Sequence, residues 1–275
     1  MKKLSLLSLF FVAVLAVTSC KKEENNATPT ENPAAGIAQE QKAVGFYLSG
    51  TWCGPCGLYG KPAMANVEKA NPTKFVVVAC HLNGGGGATD PYNTPEANSL
   101  ASAWAVTGVP TCAIGGAGQP AQKIGGGTGM EAGMTTQINT VLSKTASANS
   151  SVDVTVDASN KLTIKTKTKF FETSTDAYSM SVYVVENNIK GRQYVSGTGW
   201  NENATHNNVL RKSVASSVVG EDLITGVTAN QEVSKTFETT LDAAWVKDNL
   251  EVVVVLWKTG GSGKLIINGT SKNLK

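Results

Sequence analysis

The strongest constraint on how this chain can fold is a change in the period of its apolar residues near Asn149. Before that point apolar runs alternate with helix-like segments; after it, apolar residues recur at every second position. Ala43 to Ser49 (AVGFYLS) reads as a buried strand. Lys61 to Ala70 (KPAMANVEKA) has helical spacing and is stopped by Asn71-Pro72. Residues 74–82 form a second apolar strand, and four glycines follow Asn83 as a flexible loop. Thr94-Pro95-Glu96 places a cap, a proline and an acid in the order that opens a helix, which runs to about Val106. Short strands are expected at 111–114 and 122–124, and a closing helix at 130–145. Strands separated by helices imply a sheet covered on both faces. Beyond Asn149, residues 152–156 and 162–166 alternate cleanly. Runs at 179–185, 209–219, 233–239, 250–257 and 265–268 follow at regular spacing. That pattern predicts an antiparallel, immunoglobulin-like sandwich. The expected fold class is an α/β domain over 42–148 followed by an all-β sandwich over 149–275, joined by small polar residues at 148–151.

The first residues give an address. Met1-Lys2-Lys3 is a positive start, and the apolar run from Leu4 to Val17 is too short to span a bilayer comfortably. Val17-Thr18-Ser19-Cys20 then leads small residues into a cysteine, which resembles the lipobox of bacterial lipoproteins. That resemblance makes residues 1–20 a signal peptide and Cys20 the lipidated N-terminus. An ordinary secreted protein with a chance cysteine is the other reading. Residues 21–41 are too polar to fold and read as a tether. Lys21-Lys22-Glu23-Glu24 also resembles the surface-export signal of lipoproteins from Bacteroidota, so outer-membrane anchoring with display at the cell surface is expected. The formal charge is +3, and losing residues 1–20 removes two lysines and no acids. The near balance that remains is no electrostatic footprint for nucleic acid.

The chain has five cysteines, and two of them stand in Gly50-Thr-Trp-Cys-Gly-Pro-Cys-Gly57. Cys53 sits where the first turn of a helix leaves N–H groups unpaired, and their partial positive charge favours the thiolate that thiol–disulfide exchange requires. Cys56, one turn on, is placed to resolve a mixed disulfide. Pro55 suits the first turn, where a missing N–H costs nothing. Two alternatives stand beside this one. A zinc site needs about four ligands, and beyond this pair the mature chain offers Cys80, Cys112, His81 and His206. A structural disulfide would constrain little, since it closes over two intervening residues. No cofactor and no metal are expected.

Together with Val106-Thr-Gly-Val-Pro-Thr111, this motif resembles the thioredoxin family over residues 42–147. The resemblance implies an α/β thioredoxin-like fold in which Cys53 attacks, Cys56 resolves and Trp52 packs beside them. It also implies that Pro110, in the cis form, shapes a substrate groove, and that the partners are protein thiols or disulfides. Tyr47 departs from the family, which keeps a buried acid at that position; either exchange is slower or another group such as Glu68 takes part instead. Cys80 and Cys112 read as buried, unreactive thiols, and structural roles are expected for His81 and His206. Neither glycine run, 84–87 or 125–127, is followed by the Lys-Ser/Thr of a phosphate loop.

In the second half, residues 177–188 and 199–211 resemble the 28-kDa-type outer-membrane lipoproteins of Bacteroidota. Residues 186–211 read as a long polar loop anchored by Trp200; long loops on a rigid sandwich often bind partners, and ordinary loop packing is the other reading. Two functions therefore compete. One is a lipid-anchored envelope thiol–disulfide oxidoreductase. The other is a surface-exposed, adhesin-like binding lipoprotein in which the sandwich takes an extracellular ligand and the first half is a scaffold.

Overall fold

The computed structural model describes residues 36–260 and 263–275. The expected signal peptide, Cys20 and most of the tether lie outside the described residues. The first wholly apolar runs become β1 (Ala43–Ser49) and β2 (Phe75–His81), buried along their length and paired in parallel across α1 (Lys61–Ala70). The helix α2 (Pro95–Ala103) starts under Thr94, whose hydroxyl accepts the Ala97 N–H at 3.1 Å. The strands β3 (Thr111–Gly116) and β4 (Gln119–Gly125) extend the sheet antiparallel beyond β1. The last helix of this half, α3 (Met130–Leu142), buries Met130, Met134, Ile138 and Val141.

The second half supplies β5 (Ala148–Val156), β6 (Lys161–Phe170), β7 (Ser174–Glu186), β8 (Ile189–Val195), β9 (Gly199–His206), β10 (Val209–Ser213) and β11 (Glu221–Val227). It ends with β12 (Glu232–Thr240), β13 (Leu250–Gly260) and β14 (Gly263–Asn273). Sheet order overturns the expected fold class, an α/β thioredoxin-like domain followed by an immunoglobulin-like sandwich. Among the described residues one nine-stranded mixed sheet runs β14–β13–β7–β10–β2–β1–β3–β4, with β11 paired to β7. Its seam is the parallel pairing of Val209 with Ala79, where the Ala79 N–H donates to the Asn208 carbonyl at 2.7 Å. Five strands assigned to a separate sandwich thus continue the sheet begun by the first half. Only β12, β6 and β5 form a second, three-stranded sheet.

The physical reason is the edge of β2. Its sequence, FVVVACH, is buried throughout, and an apolar strand edge left open is a template for aggregation unless something covers it. Here β10 and then β7 cover it. Alternation in a sequence sets which face of a strand is buried, but leaves open which strand lies beside it.

Packing ties the halves together. The Phe46 ring of β1 lies 5.5 Å from Trp104, 5.8 Å from Tyr183 of β7 and 5.8 Å from Trp257 of β13. Trp257 and Phe46 are fully buried, and the Trp257 indole N–H is satisfied by Ser181 Oγ at 2.9 Å. Asn268 of β14 donates to the carbonyls of Glu40 and Ala148 and accepts the Lys42 N–H. Gln39 and Gln41, at the end of the expected tether, donate to Ala146 and Ile267. From Ile37 to Lys275 the chain is one compact unit.

Candidate functional site

At the C-terminal end of β1 the chain turns through residues 50–52 into the cysteine motif. Cys53 and Cys56 are joined by a disulfide. The Cys56 N–H donates to Cys53 Sγ at 3.1 Å, which is the helix-start environment that stabilises negative charge on that sulfur. Cys53 Sγ also lies 3.6 Å from the Val109 carbonyl. The Val109–Pro110 peptide is cis, and Pro110 is buried against Gly60 and Gly126. Trp52 does not lean on the cysteines through a hydrogen bond. Its indole N–H donates to the Leu82 carbonyl at 2.8 Å, and its ring covers Gly50 and Gly84. After Cys56 the helix widens into a π-turn over Cys56–Gly60, closed by Lys61 N–H to Cys56 O. Pro62, which has no N–H for the preceding turn, sits immediately beyond it.

The disulfide is not open to solvent: Cys53 is 3% exposed and Cys56 is fully buried. Beside the Val109 carbonyl on Cys53 Sγ, a segment of the second half lies against the backbone of the motif loop. The segment 186–211, expected as a polar loop, contains the hairpin β8–β9, which among the described residues pairs with no other strand. Tyr194 N–H donates to Thr51 O at 2.7 Å and Ser196 N–H to Gly54 O at 3.2 Å. The Gln193 amide reaches the carbonyls of Gly50, Thr51 and Cys53 at 3.1–3.2 Å. Gly54 and Gly57 leave no room for a Cβ: Ser196 stands against the first and the Tyr194 carbonyl against the second. No single-sequence signal marks Gln193, Tyr194 or Ser196, because a hairpin this polar has neither an apolar face nor a motif.

The outer side of the hairpin is exposed. Trp200, expected as a loop anchor, is 43% exposed and Tyr194 is 38% exposed. Their rings meet edge-on at 5.3 Å, and the Arg192 guanidinium lies 4.3 Å above the Trp200 ring.

Below the hairpin, β1, β2 and α1 border a half-open pocket of about 260 Å³ lined by Tyr47, Lys61, Glu68, His81 and His206. The two histidines, far apart in sequence, have ring centroids 5.3 Å apart, and Tyr92 closes the cluster. Asp90 organises it: one carboxylate oxygen takes the Thr51 N–H at 2.6 Å and His81 Nδ1 at 3.0 Å, the other the Tyr92 N–H at 2.9 Å. Burial pushes the Asp90 carboxyl up, but His81 and these N–H donors outweigh it and hold it below its ordinary value. Burial pushes His206 down to about 3, with Lys61 and His81 adding to it. It also lowers Lys61 to about 8. Glu68 is raised to about 7 by burial and then by Glu251, against the Asn208 amide that donates to it at 2.6 Å. Tyr47 stands in the same cavity, its hydroxyl pushed up by burial. Among the described residues no group of three or more metal-ligating side chains is assembled. Cys80 and Cys112 are unbridged and fully buried on the two strands that flank β1, and burial raises both thiols far above their ordinary value.

Comparison with known proteins supplies the family. The family described as "Outer membrane protein Omp28" matches residues 97–275. HBP35 of Porphyromonas gingivalis has a similar fold, with a TM-score of 0.63 and 18% identity over 86% of this chain and 76% of that one. A domain of the outer membrane lipoprotein Omp28 from Porphyromonas gingivalis aligns over 45% of this chain and 89% of its own, at 15% identity and a TM-score of 0.29. No curated protein sequence matches the chain. The matched region starts within α2 and takes in the covering hairpin and the entire second half. This chain belongs to the Omp28 family and is an outer-membrane protein.

Proposed function

We propose that this protein is a surface-displayed binding lipoprotein that engages a protein partner through the outer face of the β8–β9 hairpin. The observation that carries the reading is the exposed cluster of Trp200, Tyr194 and Arg192. These three residue types dominate binding energy at protein interfaces, and here the hairpin presents them together. Residues 149–275 supply this face and residues 42–148 act as its support. Because one sheet runs through both halves, the test needs the whole folded unit. Fluorescent protein from Ile37 onward is titrated onto intact bacteria that lack the endogenous copy. Trp200→Ala is expected to weaken binding roughly 30-fold, about 2 kcal/mol; equal binding by the variant refutes the reading.

Anchoring belongs to the same proposal. Cys20 carries the lipid, and Cys20→Ser is expected to release the protein from the outer membrane into soluble fractions. Retention of that variant in the membrane would remove the anchor from the account.

A second reading, thiol–disulfide exchange, is favoured by the Cys56 N–H directed at Cys53 Sγ. Cys53 attacks, Cys56 resolves, and Pro110 and Trp52 frame the pair; the partners are protein thiols or disulfides, with no cofactor. Its test is turnover of a disulfide-bonded protein substrate with a dithiol as donor. Undiminished turnover by Cys53→Ser would exclude it.

A further inference from the structure

The hairpin β8–β9 is attached differently at its two ends. At its base it joins β7 and β10 through two matched links, Asn187-Asn188 and Asn207-Asn208. The second asparagine of each adopts the left-handed conformation, with φ 58° at Asn188 and 55° at Asn208. The links are bonded to each other, since Asn208 N–H donates to Asn187 Oδ1 at 2.8 Å and Asn188 N–H to Asn207 Oδ1 at 2.9 Å. The base is further held by the Lys61 ammonium, which donates to Thr205 O at 2.6 Å, and by the His206 ring on His81 and Tyr92. Toward its tip the grip reduces to Gln193, two backbone bonds and the close fit against Gly54 and Gly57. A two-stranded hairpin alone is marginal in water, and paired short links at one end are where hinges form.

The tip contacts have a pattern of their own. Tyr194, near the end of β8, and Ser196, in the turn that follows it, donate to Thr51 and Gly54, so the hairpin meets the motif loop backbone to backbone, as a bound polypeptide can. We propose that the motif loop 50–57 is a groove for an extended segment of a partner polypeptide, and that residues 194–196 of this chain occupy it as a displaceable strap. While the strap is seated, the Cys53–Cys56 bond is closed off. When it pivots on the asparagine links, a partner strand takes its place and brings a thiol to Cys53.

The exchange that follows is balanced by a dithiol. A partner thiolate attacks Cys53 Sγ, the Cys53–Cys56 bond breaks, and the electron pair leaves on Cys56 Sγ, which takes up a proton. The partner's second thiolate attacks the mixed disulfide and expels Cys53 as a thiolate. Two electrons pass to this protein, and the partner leaves oxidised.

This rests on the exchange reading, but its test reads access rather than turnover, so the two can fail separately. Protein from Ile37 onward is treated with dithiothreitol, quenched with iodoacetamide at intervals, and each cysteine is followed by mass spectrometry. Gly57→Ala sets a methyl group against the Tyr194 carbonyl, and Gln193→Ala removes the amide that spans three carbonyls. Each is expected to speed reduction of the pair at least tenfold, with Cys80 and Cys112 still protected. Wild-type rates in both variants overturn the strap. So does alkylation of Cys80 and Cys112 in step with the pair, because opening is then global. Should Gly57→Ala not fold, Gln193→Ala decides alone.

Discussion

Replacing Asp90 by asparagine tests the polar cluster that sets the turn before the motif. The carboxylate is fully buried and accepts from three donors, the Thr51 N–H at 2.6 Å, His81 Nδ1 at 3.0 Å and the Tyr92 N–H at 2.9 Å. Asparagine keeps the shape but has one acceptor oxygen, so whichever way its amide turns, at least one donor faces an N–H group. A buried donor left unpaired costs about 1–3 kcal/mol, and hydrogen bonds to a charged group contribute about 1.5–3 kcal/mol each. The remaining bonds survive in weaker, neutral form. The expected loss is about 3 kcal/mol, roughly a 150-fold change in the folding equilibrium. Urea unfolding of the chain from Ile37, followed by tryptophan fluorescence at pH 7, measures it. The pH dependence has a fixed sign. The Asp90 carboxyl is held below its ordinary value in the folded state. Its contribution is therefore complete above the unfolded carboxylate pKa of about 3.9 and fades as pH falls below it. The gap between wild type and Asp90→Asn should narrow in acid. A cost under about 1 kcal/mol at pH 7, or a gap that stays constant down to pH 3, would refute the reasoning.

Three further outcomes are expected. Phe46→Ala empties the contact between Trp104, Tyr183 and Trp257 and should cost about 3–5 kcal/mol in the same assay; because those rings come from both halves, all spectroscopic probes should lose stability together. Glu68 has a folded value raised to about 7, so its stability contribution is full below the unfolded value of about 4.3 and is lost as pH rises toward 7. Glu68→Gln keeps an acceptor for Asn208, and its stability relative to wild type should climb between pH 4 and 7 and then level off; a flat difference would count against burial as the cause. Finally, Cys80 and Cys112 should resist iodoacetamide for hours at pH 8 in the folded protein and react promptly in urea. Modification of either in the folded state would contradict their full burial.

Local elements were legible where the signal is local. Ala43–Ser49 and Lys61–Ala70 take the expected spans, and α2 opens under Thr94 as its cap chemistry indicates. The expected helix ends run too far on, since α2 stops at Ala103 and α3 at Leu142. The strands β8, β9 and β11 have no counterpart among the expected runs. Residues such as Lys190, Arg192, Asn201 and Asn203 put polar groups on both faces of the hairpin, so no alternation betrays it. Trp200 takes the opposite role to the one its surroundings in the sequence indicate, because one aromatic among polar residues reads as an anchor whereas the fold leaves it exposed. His81 and His206 looked unrelated at a separation that only folding closes.

By itself, the sequence determined the cysteine motif and its helix-start chemistry, the change of period near Asn149 and most of the strands and helices. These depend on neighbours within a few positions, where period and capping act. The tertiary structure alone decided that β10 would cover the edge of β2 and merge two expected folds into one sheet. It alone laid the hairpin against the motif loop and turned Trp200 outward. Strand partnership and covering contacts are settled by edges and surfaces distant in the chain. Many pairings satisfy the same alternation of apolar residues, so that alternation cannot choose among them.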